Sequence, residues 1–210
     1  MTNLTELTCQ DFLTKLASGN PTPGGGGGAA VAGALAASLS SMVANLTVGK
    51  EKFAEHEDEV KKLLQEVETL RKKLLMLVDE DAAVFDSFMS CYKLPKNTEE
   101  EKAARTNAIR QAAKKAAEVP FAAAQASYEV LKIAVRLIEI GNPNVITDGT
   151  VSALLARAAM RSEFYNVYIN LGLTKDEEYN AKIISMISVM EQEALVLEEK
   201  AIKATDAALA

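Results

Sequence analysis

Tryptophan is absent from this 210-residue chain, histidine occurs once, cysteine twice and proline five times. Each scarcity excludes something. The single histidine, His56, sits among Glu55, Glu57, Asp58 and Glu59, the pattern of a solvated helix start. A protein zinc site or a Ser-His-Asp triad needs more than that, so no metal site is expected. Cys9 and Cys91 make neither a ligand spacing nor a disulfide framework, and a reducing, cytoplasmic compartment is expected. With 23 basic and 29 acidic residues the net charge is −6 and no basic stripe forms, which argues against a nucleic-acid partner. The opening Met1–Phe12 has no basic n-region and no early apolar run, so it does not read as a secretory signal. No segment alternates apolar and polar residues for long enough to make a strand.

What remains is rich in Ala, Leu, Glu and Lys, the composition of helix bundles. Charge is missing altogether between Lys15 and Lys50, and Ala29–Val48 is long enough to cross a bilayer. Its residues are mostly Ala, Ser, Gly and Thr with only three leucines, too little to drive insertion. Small residues on every side instead suit a buried central helix, so no membrane partner is expected.

Periodicity and capping signals divide the chain further. A short amphipathic helix is expected over Leu4–Ser18, then a break at Gly19–Pro23, then the uncharged helix from about Gly28 to Val48. A long helix follows from about Ala54 to Tyr92. Thr98 and Glu101 form a capping box for the next helix, which Pro120 kinks or divides before Ile140. After the Gly141–Asn144 stop, a helix from Thr147 or Asp148 runs to Leu171, where Gly172 ends it. Thr174–Glu177 reads as a second capping box, opening the last helix to about Ala208. The expectation is one all-α domain, residues 1–210: a bundle of about six or seven helices, several long and antiparallel. The last helix carries enough Ile, Met, Val and Leu to pair with a second chain, and a homodimer is the base-rate assembly.

The run Gly24–Gly28 carries the first sign of function. Five glycines cost about 1 kcal/mol each in backbone entropy, so an ordinary loop has little use for them. They allow positive φ and close approach to a ligand, and a helix N-terminus just behind them attracts anions. A flexible linker, or room for close helix packing, is the plainer alternative. No strand precedes the run, which removes the dinucleotide fingerprint, and Ala44–Glu51 departs from a phosphate-binding P-loop at both ends.

Asp81 is the sharpest single residue. At about 100° per residue its direction nearly coincides with Leu63, Leu70, Leu74 and Phe88, on the apolar stripe of its helix. A carboxylate there must be paired, hydrogen-bonded or protonated, and its pKa is expected to rise, which suits acid–base work. A buried ion pair with a Lys or Arg from another helix is the alternative. Asp148 is an N-cap candidate in competition with Thr147, and a second catalytic carboxylate only if its loop folds over the same pocket. Lys50 and Lys52 either hold an anionic substrate tail or are surface charges, and Asn45 stands near enough in sequence to join them.

Six stretches together resemble the cyclodeaminase domain of formiminotransferase-cyclodeaminase and its free-standing relative, methenyltetrahydrofolate cyclohydrolase. They are Pro21–Gly26, Asn45–Lys50, Leu77–Asp81 with Phe85, Lys93–Thr98, Gly141–Asn144 with Thr147 and Asp148, and Tyr165–Asn170, in family order. Gly27 and Gly28 depart from the pattern, where other small residues are expected. The resemblance implies an all-helical dimer acting on the one-carbon unit of tetrahydrofolate, with no metal or other cofactor. The cyclohydrolase adds water to the methenyl bridge and opens it to 10-formyltetrahydrofolate. The cyclodeaminase closes 5-formiminotetrahydrofolate with loss of ammonia. Either reaction needs a proton moved at a tetrahedral carbon, and the resemblance implies Asp81 first and Asp148 second for that role. It implies Gly24, Gly25, Gly26, Asn45 and Lys50 for binding folate. No formiminotransferase half is present, which tilts the expectation to the cyclohydrolase. A non-enzymatic helical assembly module is the rival class and predicts no folate binding.

Overall fold

The computed structural model describes residues 3–210. Among them are six α-helices and no strand: α1 (Cys9–Leu16), α2 (Gly25–Asn45), α3 (Glu57–Cys91), α4 (Glu99–Ile140), α5 (Ile146–Thr174) and α6 (Glu177–Leu209). Short 3₁₀ turns precede α1, α3 and α5.

The charge-free segment forms the centre. α2 runs antiparallel to α3 on one side and to α5 on another, with α4 behind it, and Ala30, Ala34, Ala36, Ala37, Val43 and Ala44 are all buried. Small side chains allow this closeness. A Cβ on Gly33 would lie 2.6 Å from Ser127 Oγ of α4 and 3.1 Å from Leu74 of α3, so no other residue fits there without movement. Buried serines tie α2 to α5: Ser40 and Ser152 share a 2.8 Å hydrogen bond, and Ser152 donates to the Ala36 carbonyl at 2.6 Å. Leu74, Val67, Val60, Leu131, Leu137, Met160 and Phe164 close the core around them.

Several boundaries differ from the sequence reading, each for a local reason. α2 begins at Gly25 rather than near Gly28, because packing against α3 and α5 holds glycines in the helix despite their poor propensity. None of the five uses positive φ; among the described glycines only Gly49 does. The Leu4–Ser18 helix is broken, since Asp79 of α3 captures Leu4 N–H and the Thr5 hydroxyl while Thr8 caps α1. α4 passes through Pro120 without division. Proline leaves the Ala116 carbonyl without its helical partner, and the Asn170 side-chain amide of α5 donates to it at 2.9 Å. α5 starts at Ile146 and runs beyond Gly172 to Thr174, ended by Lys175 in the left-handed region. Asp176, not Thr174, caps α6. The Thr98–Glu101 capping box forms as expected.

Candidate functional site

Where α2 begins, four elements converge on a cavity of about 280 Å³, α4 contributing Ala116. One wall is the approach to α2, with Pro21, Thr22 and Gly24–Gly26. α3 supplies Asp81 with the rings of Phe85 and Phe88, and α5 supplies Asn166 and Asn170. Asn170 thus both repairs the proline break in α4 and faces the cavity.

Asp81 is half-buried, and its Oδ2 accepts the Gly27 N–H at 3.1 Å. Gly24 occupies the N-cap position but has no side chain, so a carboxylate from the neighbouring helix does the capping. The contact explains one glycine specifically. A Cβ on Gly26 would fall 2.8 Å from Asp81 Oδ1 and 3.0 Å from its Cγ, whereas one on Gly27 or Gly28 would meet nothing closer than 3.5 Å. The first-turn N–H groups of Gly25 and Gly26, which have no partner within a helix, border the cavity and carry its positive dipole. Burial raises the Asp81 pKa, and the Gly27 N–H partly offsets that rise; no Lys or Arg contributes, so the ion-pair alternative does not apply.

A second carboxyl lies behind the first. Glu163 of α5 is 1 % exposed, and its Oε2 accepts only a long 3.4 Å bond from the Asn166 amide. Burial, reinforced by the negative charge of Asp81, pushes its pKa up to about 9. Sequence reasoning missed this residue, although the periodicity that found Asp81 applies to it. Glu163 stands seven residues after Ala156, three after Met160 and four before Val167, all buried.

The other expected site residues lie elsewhere. Asn45, the last residue of α2, and Lys50 beyond it are exposed at the far end, about 30 Å along the helix from Gly25. Asp148 sits in the first turn of α5 rather than at its N-cap, and about 22 Å along that helix from Glu163. The loop before it folds onto the C-terminal end of α2, where Asn142 N–H donates to Thr47 Oγ1 and its side-chain amide to the Leu46 carbonyl, both at 3.0 Å. Within one chain, therefore, Gly24, Gly25, Gly26 and Asp81 come together, while Asn45, Lys50 and Asp148 gather at the opposite end. Among the described residues no group of three or more His, Cys, Asp or Glu is placed to hold a metal ion.

Comparison with known proteins agrees with this architecture. A family profile described as Formiminotransferase-cyclodeaminase matches residues 8–188. The chain is 44% identical over 193 residues to a methenyltetrahydrofolate cyclohydrolase of Methylorubrum extorquens, covering 92% of this chain and 93% of that one. It is 31% identical to the formimidoyltransferase-cyclodeaminase of Rattus norvegicus over 91% of this chain, but spans only 36% of that longer protein. A solved structure, the formiminotetrahydrofolate cyclodeaminase of Thermotoga maritima, superposes with a TM-score of 0.88 at 29% identity, covering 98% of each chain.

Proposed function

The chain belongs to the formiminotransferase-cyclodeaminase family, and from that premise we propose that it is a methenyltetrahydrofolate cyclohydrolase with Asp81 as its acid–base group. One observation carries the assignment: a carboxylate with no cation beside it, pinned at a glycine helix start and aimed into an aromatic-walled cavity. The 44% identity to the Methylorubrum extorquens cyclohydrolase supports that reaction over the cyclodeaminase one.

The chemistry needs no more than this chain's own groups. The methenyl substrate is a cation, which the Asp81 carboxylate attracts. Asp81 takes a proton from a water as the water oxygen bonds to the methenyl carbon, giving a neutral carbinol. The carbon–N5 bond then breaks, N5 keeps the electron pair and receives the proton from Asp81, and the carbinol hydroxyl proton leaves to solvent. Cation plus water becomes 10-formyltetrahydrofolate plus one proton. Phe85 and Phe88 offer stacking surface for the ring system. Lys50 stands at the far end of α2, whereas Lys114 and Lys115 line a neighbouring depression that shares Val84 and Phe88 with the cavity. Lys114 pairs with Asp176 at 2.5 Å, leaving the exposed Lys115 for the glutamate carboxylates of the substrate tail.

The assembly we assign is a homodimer through the outer face of α2 and α5. Leu35 and Met42 on α2 with Leu46 at its C-cap form one exposed stripe, and Val151, Tyr165 and Ile169 one on α5, in a region where α2 has no charge. Ile169 also lines the cavity, so a partner on this face would cover its mouth.

The second reading, a cyclodeaminase, is favoured by the superposition on the Thermotoga maritima enzyme. An absorbance assay of the methenyl chromophore separates the two. The protein should accelerate loss of 5,10-methenyltetrahydrofolate above the buffer rate. Appearance of the chromophore with ammonia from 5-formiminotetrahydrofolate, and no acceleration of its loss, would make it the cyclodeaminase. No change with either substrate would leave the assembly-module class standing.

A further inference from the structure

Buried charge on α5 is handled in two ways. Arg157 is 8 % exposed and meets Glu191 at 2.6 Å, with Glu198 at 3.9 Å. Glu163, less than two turns later, is more deeply buried and meets no cation. Among the described residues it caps no helix and bonds to no neighbouring helix; its one hydrogen bond is the long one from Asn166 on its own helix. The charged group acting on it, again among the described residues, is Asp81 of α3, and α2, α4 and α6, which also pack against α5, bring none to bear. An apolar side chain would serve packing at least as well.

We propose that Glu163 is a positioning residue: a neutral carboxylic acid that holds the pair it forms with Asp81 at one negative charge and sets the Asn166 amide against the cavity. Two carboxyls in one desolvated place do not both ionise at neutral pH, and the half-exposed Asp81, anchored by Gly27 N–H, is the one that does. The raised proton affinity of Glu163 agrees with that division. A single charge matches a singly charged cationic substrate. A second would repel the Asp81 carboxylate from its place at Gly27. Asn166 donates to Glu163, and its Oδ1 lies 3.7 Å from where a Gly25 Cβ would stand, so the amide spans from the buried acid to the cavity wall.

This inference rests on Asp81 as the acid–base group, and its test has one arm that needs no substrate. The infrared difference between wild type and Glu163→Gln at pH 7 should show the carbonyl band of a protonated carboxyl and no carboxylate band from residue 163. A carboxylate band would overturn the proposal whether or not folate turns over. The kinetic arm uses two variants. Glu163→Gln, neutral and of the same shape, should keep kcat within about threefold, while Glu163→Leu, folded and no less heat-stable, should lose about tenfold or more in kcat with KM little changed. If Glu163→Gln is as slow as Asp81→Asn, the Glu163 proton itself is transferred and the positioning role is wrong. If Glu163→Leu matches wild type, the residue only fills space. Absence of turnover in wild type would instead count against the assigned reaction, with the infrared result still deciding the charge state.

Discussion

At its C-terminal end α2 finishes with its polar groups satisfied. Thr47 Oγ1 donates to the Val43 carbonyl at 2.8 Å and accepts Asn142 N–H, and the Asn142 amide closes on Leu46. The N-terminal end is built the other way. Its cap residue has no side chain, its first turn is all glycine, and the carboxylate that caps it has no cation beside it among the described residues but feels a second, buried carboxyl. Both ends hold residues that look functional in the sequence, but only one departs from what stability alone would select. Such departures persist where chemistry needs them, and they separate a site from a well-made helix end.

Variants at the two ends should therefore divide into those that change turnover and those that change stability. The largest effect belongs to Asp81→Asn, expected to lower kcat by about 10²- to 10⁴-fold, with thermal unfolding showing a folded protein. Next is the pH dependence of stability. Glu163 holds its proton to about pH 9 in the folded chain, far above the 4.5 of an ordinary glutamate. The stability this confers is fully present below the ordinary value and is lost as pH rises through the folded one. Between those limits wild type should lose about 1.4 kcal/mol per pH unit relative to Glu163→Gln, and the gap should level off above pH 9. Asp81, also raised, acts in the same direction in both proteins and largely cancels; denaturant titrations across pH read the difference.

Gly26→Ala should push the Asp81 carboxylate off Gly27 and cost about ten- to a hundredfold in kcat/KM. Gly27→Ala has room for its Cβ and should instead gain up to about 1 kcal/mol. At the other end Thr47→Val leaves a buried Asn142 N–H without its acceptor and should cost about 1–2 kcal/mol in unfolding free energy, with kcat unmoved. Smallest are Asn45→Ala, Lys50→Ala and Asp148→Asn, expected to leave kcat within about twofold. A large kinetic loss at any of those three would erase the difference between the two ends.

The fold was largely legible because amphipathic periodicity and caps such as Thr98–Glu101 are local signals, written within a few residues. Asp81 was legible for the same reason, as a carboxylate out of place in an apolar stripe. The helical glycines were not, since their conformation is imposed by α3 and α5 packing against them. Nor was the passage through Pro120, whose repair depends on Asn170 fifty residues further on. That Asp148 and Lys50 lie at the other end from Asp81 within one chain was not legible, because sequence order says nothing about which end of a 30 Å helix a motif will meet. Glu163 differs from these: its signal lay in plain periodicity on α5, hidden only by the many charged neighbours of other helices that resemble it in composition.

The location of the chemistry is most directly tested without any variant, by hydrogen exchange of the whole protein with and without saturating 5-formyltetrahydrofolate, a stable analogue of the substrate. Added protection is expected at residues 21–28, 81–88 and 166–173. Protection confined to residues 45–50 and 142–148, with none at the glycine end, would contradict a site there.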